Sequence, residues 1–176
     1  MMRRVALILA VACTAAPPVV MIRSFKEGLP GVRAASPEVT LRVGTDPAVG
    51  DEQVLVVEYP GPSDNPAGRD VWCDTENTDW TGGRAIAFRI QPARALKLSV
   101  SFVDRNGVAY TTWVELQGAV WQDVHLPFSE MRPNPYFQPP GAKAGAPLDV
   151  SEVRAIGFAP QDQAPGQFMI TSLTLE

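Results

Sequence analysis

The sequence predicts an all-β protein: an antiparallel two-sheet β-sandwich that follows a short N-terminal signal. Short runs rich in Val, Ile, Phe and Thr alternate with polar residues, as half-buried strands do. Seventeen prolines and fourteen glycines separate these runs without a fixed period, and an Asn-Gly pair joins two of the longest. A chain of 176 residues with 45% hydrophobic content can fill one core.

The first residues have the features of an export signal. Arg3 and Arg4 precede an uninterrupted apolar run over residues 5–12. That run is shorter than the roughly 20 residues that cross a bilayer as a helix. We therefore expect residues 1–16 to be a signal segment.

Cys13 gives this segment two possible outcomes. Residues 9–13, Leu-Ala-Val-Ala-Cys, resemble a bacterial lipoprotein signal in which the cysteine becomes the lipidated N-terminus. Cleavage after Ala15 or Ala16 by ordinary signal peptidase is the alternative. Either outcome leaves Cys73 without a disulfide partner, so a small core residue is expected there. The expected location is the bacterial cell envelope, as a membrane-anchored lipoprotein of the outer membrane or otherwise in the periplasm or secreted.

The rest of the chain divides into a tether with a loop leading into the domain, residues 17–37, and the sandwich, residues 38–176. Turn signals at Pro30, Gly31 and Pro37 and the lack of a helical period favour this division. The predicted strands cover residues 39–43, 54–59, 70–73, 84–91, 95–104, 108–116, 120–126, 153–159 and 168–175.

Two connections have distinct signatures. Asp104-Arg105-Asn106-Gly107 predicts a hairpin, because Asn-Gly supplies the positive φ angles of a tight turn. Residues 129–147 contain Pro133, Pro135, Pro139 and Pro140, which exclude a long helix or a central strand. We expect an extended loop there, with one helical turn near residues 127–131.

Alternation along each strand assigns side chains to the core or to the outside. The side chains predicted to point inward are Ile86, Phe88, Ile90, Leu96, Leu98, Val100, Phe102, Val108, Tyr110, Val114, Leu116, Val120, Val124, Leu126, Ile156 and Phe158. Two outward rows are made mainly of small residues, and two others carry aromatic and polar residues. If the sheet is curved, these rows form a groove with a low floor and an aromatic, polar wall.

Such a groove suits a sugar, whose C–H faces stack on aromatic rings while its hydroxyls need fixed polar partners. The candidate ligand-binding residues are Arg89, Trp113, Glu115, Trp121, Asp123 and His125. The alternative is that the tryptophans lie flat over the small residues and seal the sheet, or that loops cover it.

Short motifs in a fixed order resemble the galactose-binding-like jelly rolls, and among these the family 11 carbohydrate-binding modules and the complex I intermediate-associated protein domain. The resemblance extends from Phe25 to the C-terminus and concerns structural motifs, so it supports the fold far better than the function. The motifs are Phe25 with Glu27, the strand 54–59, Asp79-Trp80-Thr81-Gly82-Gly83 before Ile86-Ala87-Phe88, the turn 104–107, Trp121-Gln122-Asp123-Val124-His125-Leu126-Pro127-Phe128, Arg154-Ala155-Ile156-Gly157-Phe158 and Gly166-Gln167-Phe168-Met169-Ile170.

The resemblance implies a ligand groove on the concave sheet and, in many relatives, a structural calcium. This chain has Thr171 where many relatives have an aspartate, and Lys26 where an acid often follows the early Phe. Because calcium prefers several oxygen ligands including carboxylates, no cofactor is expected at that place. The remaining turn acids, Asp79, Asp104, Asp149 and Glu152, form no recognisable calcium loop.

Catalytic and nucleic-acid motifs are missing from the sequence. A single histidine, His125, excludes multi-histidine metal sites, and neither a Gly-x-Ser-x-Gly elbow nor a phosphate-binding glycine loop occurs. Asp104, Glu115 and Asp123 could supply the carboxylate pair of a glycoside hydrolase, a less favoured hypothesis. The net charge of −4 comes without a Lys/Arg block, so nucleic acid is not expected as a partner.

The sequence therefore favours a non-catalytic carbohydrate-binding module of an exported envelope protein, with a glycan on the outward aromatic face of one sheet. The alternative is a protein-interaction or assembly scaffold of the envelope without a sugar ligand, for which the aromatic loop Asn134-Pro135-Tyr136-Phe137 offers a docking surface. A lipid anchor is the one membrane contact expected.

Overall fold

The computed structural model describes residues 19–61, 68–76, 78–143 and 145–176, and it is a sandwich of two antiparallel sheets. No helix in these ranges is long and apolar enough to span a membrane. The strands are β1 Val20–Arg23, β2 Val32–Ala34, β3 Thr40–Thr45, β4 Gln53–Tyr59, β5 Val71–Asp74, β6 Ala85–Pro92, β7 Leu96–Val103, β8 Ala109–Leu116, β9 Gln122–Pro127, β10 Arg132–Pro133, β11 Ala155–Pro160, β12 Gly166–Ile170 and β13 Leu173–Leu175, with 3-10 turns at Pro47–Val49 and Phe128–Glu130. The predicted fold class is confirmed.

The first sheet has seven strands in the order β1-β13-β6-β12-β4-β3, with β9 along the other edge of β6. Strands β12 and β13 follow one another along β6. Ile170 pairs with Ile90 and Thr174 with Ala87, so the three residues between them on this side, 171–173, lie opposite the two residues 88 and 89 of β6. The Thr171 hydroxyl accepts a hydrogen bond from the Arg89 backbone N–H at 2.9 Å across this irregularity. Thr171 therefore closes a bulge in the sheet.

The second sheet has six strands in the order β10-β8-β7-β11-β5-β2. Its cross-strand rows run through small residues: Trp72 pairs with Gly157, Gly157 with Ser101, and Ser101 with Thr111. The neighbouring row pairs Ala159 with Ser99 and Ser99 with Trp113. This sheet therefore has an outer face with a low centre and large side chains toward its edges.

The core lies between the sheets, where alternation predicts it. Leu98, Val100, Phe102 and Ile156 are fully buried, and Trp80 packs edge-on against Phe102 with ring centroids 5.3 Å apart. Val120 is the exception, with 45% of its surface exposed. The prediction that it points inward is wrong because a turn at Ala119, with φ of 60°, precedes β9, which begins only at Gln122.

The hairpin between β7 and β8 is present, with a different turn from the one predicted. Gly107 has φ of 72°, whereas Asn106 is not among the residues with positive φ. The Gly107 backbone N–H donates to the Asp104 carbonyl at 2.9 Å, and the Val108 N–H donates to the Asp104 carboxylate at 2.9 Å. This is a three-residue turn that ends in a left-handed glycine, and Asp104 holds it closed.

The segment predicted as a tether is part of the sandwich. Within residues 17–37, β1 pairs with the closing strand β13 and β2 pairs with β5, while Phe25 between them is fully buried. Neither strand is predicted from the sequence, because β1 has four residues and β2 three, and such short strands do not show alternation. The signal segment and Cys13 lie outside the described residues. Cys73 is a buried free thiol in the core, and burial raises its pKa to about 12.

Candidate functional site

The six residues proposed from sequence as ligand-binding lie on two opposite faces of the sandwich. Trp113 and Glu115 of β8 lie on the outer face of the six-stranded sheet, as their register with Ser99 and Lys97 requires. The others belong to the outer face of the seven-stranded sheet or border it: Arg89, Trp121, Asp123 and His125. These residues therefore do not form one site.

On the seven-stranded sheet the polar side chains are paired with one another. Arg89 Nε lies 3.3 Å from Asp123 Oδ1, and its guanidinium carbon lies 5.7 Å from the centroid of the Trp121 ring. Trp121 Nε1 donates to Asp46 Oδ2 at 3.2 Å. His125 Nε2 lies 3.3 Å from Glu176 Oε2, beside a shallow depression of about 400 Å³. These polar side chains already have partners within the protein, so they are less available to bind a ligand.

The six-stranded sheet carries a groove of about 620 Å³ on its outer face. Its floor is low because Gly157, Ala159 and two serines occupy the central strands, and the Trp72 ring lies over Gly157. The residues that line it are Ala35, Asp70, Trp72, Ser99, Ser101, Ala109, Trp113, Asn134, Tyr136, Phe137, Ala159 and Gln161. Four of these are large aromatic residues.

Hydroxyl groups form the polar part of the floor. Ser99 Oγ lies 2.8 Å and Ser101 Oγ 2.9 Å from Thr111 Oγ1, which donates to the Val100 carbonyl at 3.2 Å. A hydroxyl has one proton. Because the Thr111 hydroxyl donates its proton to the Val100 carbonyl, it accepts hydrogen bonds from both serine hydroxyls. The lone pairs of Ser99 and Ser101 remain as acceptors for a ligand.

The loop after β10 forms an aromatic lip, Tyr136 and Phe137, along one side of the groove. Asn134 Oδ1 accepts hydrogen bonds from the backbone N–H groups of Tyr136 at 2.9 Å and Phe137 at 3.2 Å. The Gln138 side chain pairs with β8 as a strand would: its Oε1 accepts from Ala109 N–H and its Nε2 donates to the Ala109 carbonyl, each at 3.0 Å. Tyr136 is 88% and Phe137 55% exposed, so the lip is held in place without burying its rings.

Asp70 is the charged residue that lines the groove in the described part of the chain. Burial raises the pKa of its carboxyl to about 6, an effect that the neighbouring Arg69 only partly offsets. The Arg69 guanidinium itself is directed to Asp162, donating to the Asp162 carbonyl at 2.6 Å and lying 3.5 Å from its carboxylate. Tyr59 and Arg94 bind the same Asp162 carboxylate.

A family model for complex I intermediate-associated protein 30 (CIA30) matches residues 70–171, more than half of the chain. The chain belongs to the CIA30 family. Among curated proteins, none matches the sequence. The matched residues include most of the groove, from Asp70 and Trp72 to the lip and Gln161.

Solved structures share the fold of this CIA30-family domain. A family 11 carbohydrate-binding module from Clostridium thermocellum, in complex with a β-1,3-1,4-mixed-linked tetrasaccharide, has a TM-score of 0.72 and 20% identity over 92% of this chain and 96% of its own. A family 30 module of a cellulosomal cellulase from the same organism has a TM-score of 0.62 and 14% identity over 90% and 97%. An exo-β-agarase has a TM-score of 0.63 and 12% identity over 89% of this chain and 25% of its own. At these identities the likeness establishes the jelly-roll fold alone.

The acids considered for calcium in this CIA30-family chain cap turns or, in the case of Glu152, pair with an arginine. Asp104 accepts from Val108 and Asp149 N–H groups, Asp149 accepts from Ser151 N–H at 3.0 Å, and Glu152 pairs with Arg154. Asp79 Oδ1 accepts from Thr81 N–H and Oγ–H. The hydrogen bonds lower the pKa of Asp79 and Asp149. In the ranges that the structure describes, no group of three His, Cys, Asp or Glu side chains could hold a metal ion, so these acids do not fit the calcium that the resemblance implies.

Sequence reasoning identified Trp113 and missed most of its neighbours in the groove. The sequence does indicate that Trp72 points outward, since this residue alternates with apolar Val71 and Cys73 in a predicted strand. The sequence predicts Tyr136 and Phe137 only as part of a protein-docking loop. Asp70 has the same signal as Trp72, since it lies two residues before Trp72 in the predicted strand 70–73. Gln161 has none, because it lies just outside β11 and reaches the groove only through the pairing of β11 with β7.

Proposed function

We propose that this chain is a non-catalytic carbohydrate-binding module whose glycan lies in the groove on the six-stranded sheet. The observation that carries the proposal is the groove's composition: Trp72, Trp113 and the lip, Tyr136 and Phe137, surround a floor of small residues and hydroxyls. Sugar rings offer apolar faces that stack on aromatic side chains and hydroxyls that bond to serine acceptors. The family 11 structure, solved with a bound tetrasaccharide, supports a glycan as the ligand class.

The distribution of the carboxylates among the described residues supports the non-catalytic part of the proposal. Glycoside hydrolysis needs two carboxyl groups about 5 to 10 Å apart. Glu115 and Asp123 lie on opposite faces of the sandwich, and Asp104 is buried in its turn. Asp70 lines the groove without a second carboxylate beside it.

A protein partner is the second candidate, and the exposure of the lip favours it. Aromatic rings as exposed as Tyr136 are common anchors of protein interfaces. The description of the family, complex I intermediate-associated protein, points in the same direction. In this case the protein would act as an assembly scaffold of the envelope, and the groove would hold a peptide side chain.

The proposal includes export to the bacterial cell envelope with Cys13 as the lipidated N-terminus. It rests on the arginines, the apolar run and the cysteine of the first 13 residues. The intact mass of the mature protein tests it: a chain that begins at Cys13 and carries acyl chains agrees, whereas an unmodified chain that begins after Ala15 or Ala16 contradicts the anchor.

Three tryptophan variants test the site. Trp72→Ala and Trp113→Ala each remove a stacking ring from the groove, and we expect each to weaken glycan binding about five- to thirtyfold, or 1–2 kcal/mol. Trp121→Ala removes a ring from the opposite side of the sandwich and should bind normally. A glycan array followed by calorimetry measures all three with the folded state verified by circular dichroism.

Two results would redirect the proposal. Loss of binding in Trp121→Ala alone would assign the ligand to the seven-stranded sheet. A folded wild-type protein that binds no glycan would contradict the carbohydrate function, and a partner recovered with the wild type and lost in Tyr136→Ala would then favour the scaffold.

A further inference from the structure

Asp70 has an unusual position for a carboxylate. It directly precedes β5, and the register of β5 with β11 places it across from Ala159, in the row that continues to Ser99 and Trp113. Trp113 and Asp70 thus stand at the two ends of one row, three strand spacings or about 14 Å apart along the groove. A ligand stacked on Trp113 that follows this row reaches Asp70.

The described residues give the Asp70 carboxylate neither a hydrogen bond nor an ion pair. The adjacent residue, the cation Arg69, is bound to Asp162. On the same face, Arg33 pairs with Asp74 of β5, and Lys97 lies across from Glu115, both outside the groove lining. A partly buried carboxylate without hydrogen-bond donors around it is poorly solvated. This desolvation disfavours the charged form and raises the pKa of Asp70.

We propose that the groove selects neutral glycans over acidic ones, with Asp70 as the acceptor that binds ligand hydroxyls and repels ligand carboxylates. This inference rests on the proposed function. A neutral sugar brings hydroxyl donors that complete the solvation of Asp70, and a charge-assisted hydrogen bond of this kind is stronger than a neutral one. A uronate or sulfated sugar brings a second anion into a groove that offers it no lining cation in the described residues.

The test uses an array that carries neutral glycans beside their C6-carboxylate forms of the same linkage, probed at pH 7.5 and low salt. We expect the wild type to prefer the neutral member of a pair by about tenfold or more. Asp70→Asn keeps the shape of the side chain and removes its charge, so it should reduce that preference to about threefold or less. Asp74→Asn, at the other end of β5 on the same face and outside the groove, is the matched control and should keep the wild-type preference.

A second measurement is the pH dependence of the preference. At pH 5 the Asp70 carboxyl is largely protonated, whereas a sugar carboxylate with a pKa near 3.5 stays charged, so the wild type should approach the behaviour of Asp70→Asn. The Asp70→Asn preference should not change between the two pH values.

The outcomes separate the two proposals. Equal or stronger binding of the acidic glycans by the wild type overturns the inference and leaves carbohydrate binding intact. A preference for neutral glycans that survives in Asp70→Asn also overturns it, since the charge of Asp70 would then play no part. Binding of neither member of any pair contradicts the proposed function itself.

Discussion

At the scale of single residues, the groove depends on a glycine beneath a tryptophan. A Cβ atom at Gly157 would lie 2.8 Å from the Cη2 and Cζ3 atoms of Trp72, closer than side chains approach one another. The ring therefore lies flat on the sheet only because residue 157 has no side chain. The serines that border it complete the floor, and their hydroxyls are oriented by Thr111.

Gly157→Ala should consequently disturb the site more than the fold. The methyl group pushes the partly exposed Trp72 ring outward, and we expect about tenfold weaker glycan binding with a loss of about 1 kcal/mol in unfolding free energy. Gly82→Ala is the control, because nothing lies within 4 Å of a Cβ at that position. Calorimetry and urea unfolding measure the two effects, and unchanged binding by Gly157→Ala would show that the position of Trp72 is unimportant.

At the scale of elements, alternation predicts which side chains point outward but not to which sheet a strand belongs. Strands β8 and β9 follow one another in the sequence, and both carry outward or flanking tryptophans. The turn between them crosses from one sheet to the other, with Gly118 packed against the backbone of Arg94. Trp113 and Trp121 therefore end up on opposite faces, a consequence of topology that local sequence does not encode.

The N-terminal strands β1 and β2 are the second part of the fold that the sequence does not predict. Phe25 connects β1 to β2 and is fully buried, so Phe25→Ala should cost about 3–5 kcal/mol of unfolding free energy through the cavity it leaves. Met21→Ala, in neighbouring β1 but exposed, should cost less than about 1 kcal/mol. Thermal or urea unfolding checks both, and equal stability of the two variants would mean that residues 19–37 are a tether after all.

At the scale of the whole molecule, the fold was predictable because its signals repeat along the chain. Six strands are predicted from residue 84 onward by their apolar alternation, and the Asn-Gly hairpin fixes one strand pair. The groove was only partly predictable. Its members come from six separate segments, around residues 35, 70, 100, 113, 136 and 160, which meet only once the six-stranded sheet and the lip have formed.

Asp70, which has neither a hydrogen-bond nor an ion-pair partner among the residues that the structure describes, also makes the stability of the whole molecule depend on pH. Its pKa is about 6 in the folded protein against an ordinary value of 3.8, so between these values the folded state binds more protons than the unfolded state. The contribution of this residue to stability therefore falls as pH rises from about 4 to 6 and stays low above that. Asp79 and Asp149, whose pKa values are lowered, act in the opposite direction and lose their stabilising effect as pH falls toward 4 and below.

Asp70→Asn isolates the first contribution. At pH 7.5 the variant should be more stable than the wild type by about 1–2 kcal/mol, after allowance for the solvent that reaches the carboxyl, and at pH 3.5 the two should agree. Urea midpoints at both pH values measure the difference, with Asp74→Asn as a control that should gain nothing at pH 7.5. A gain in stability together with a loss of ligand selectivity would mean that this carboxylate lowers the unfolding free energy of the protein but is needed for ligand selectivity. An Asp70→Asn variant that is less stable at pH 7.5 would instead mean that the carboxylate has a partner within the protein.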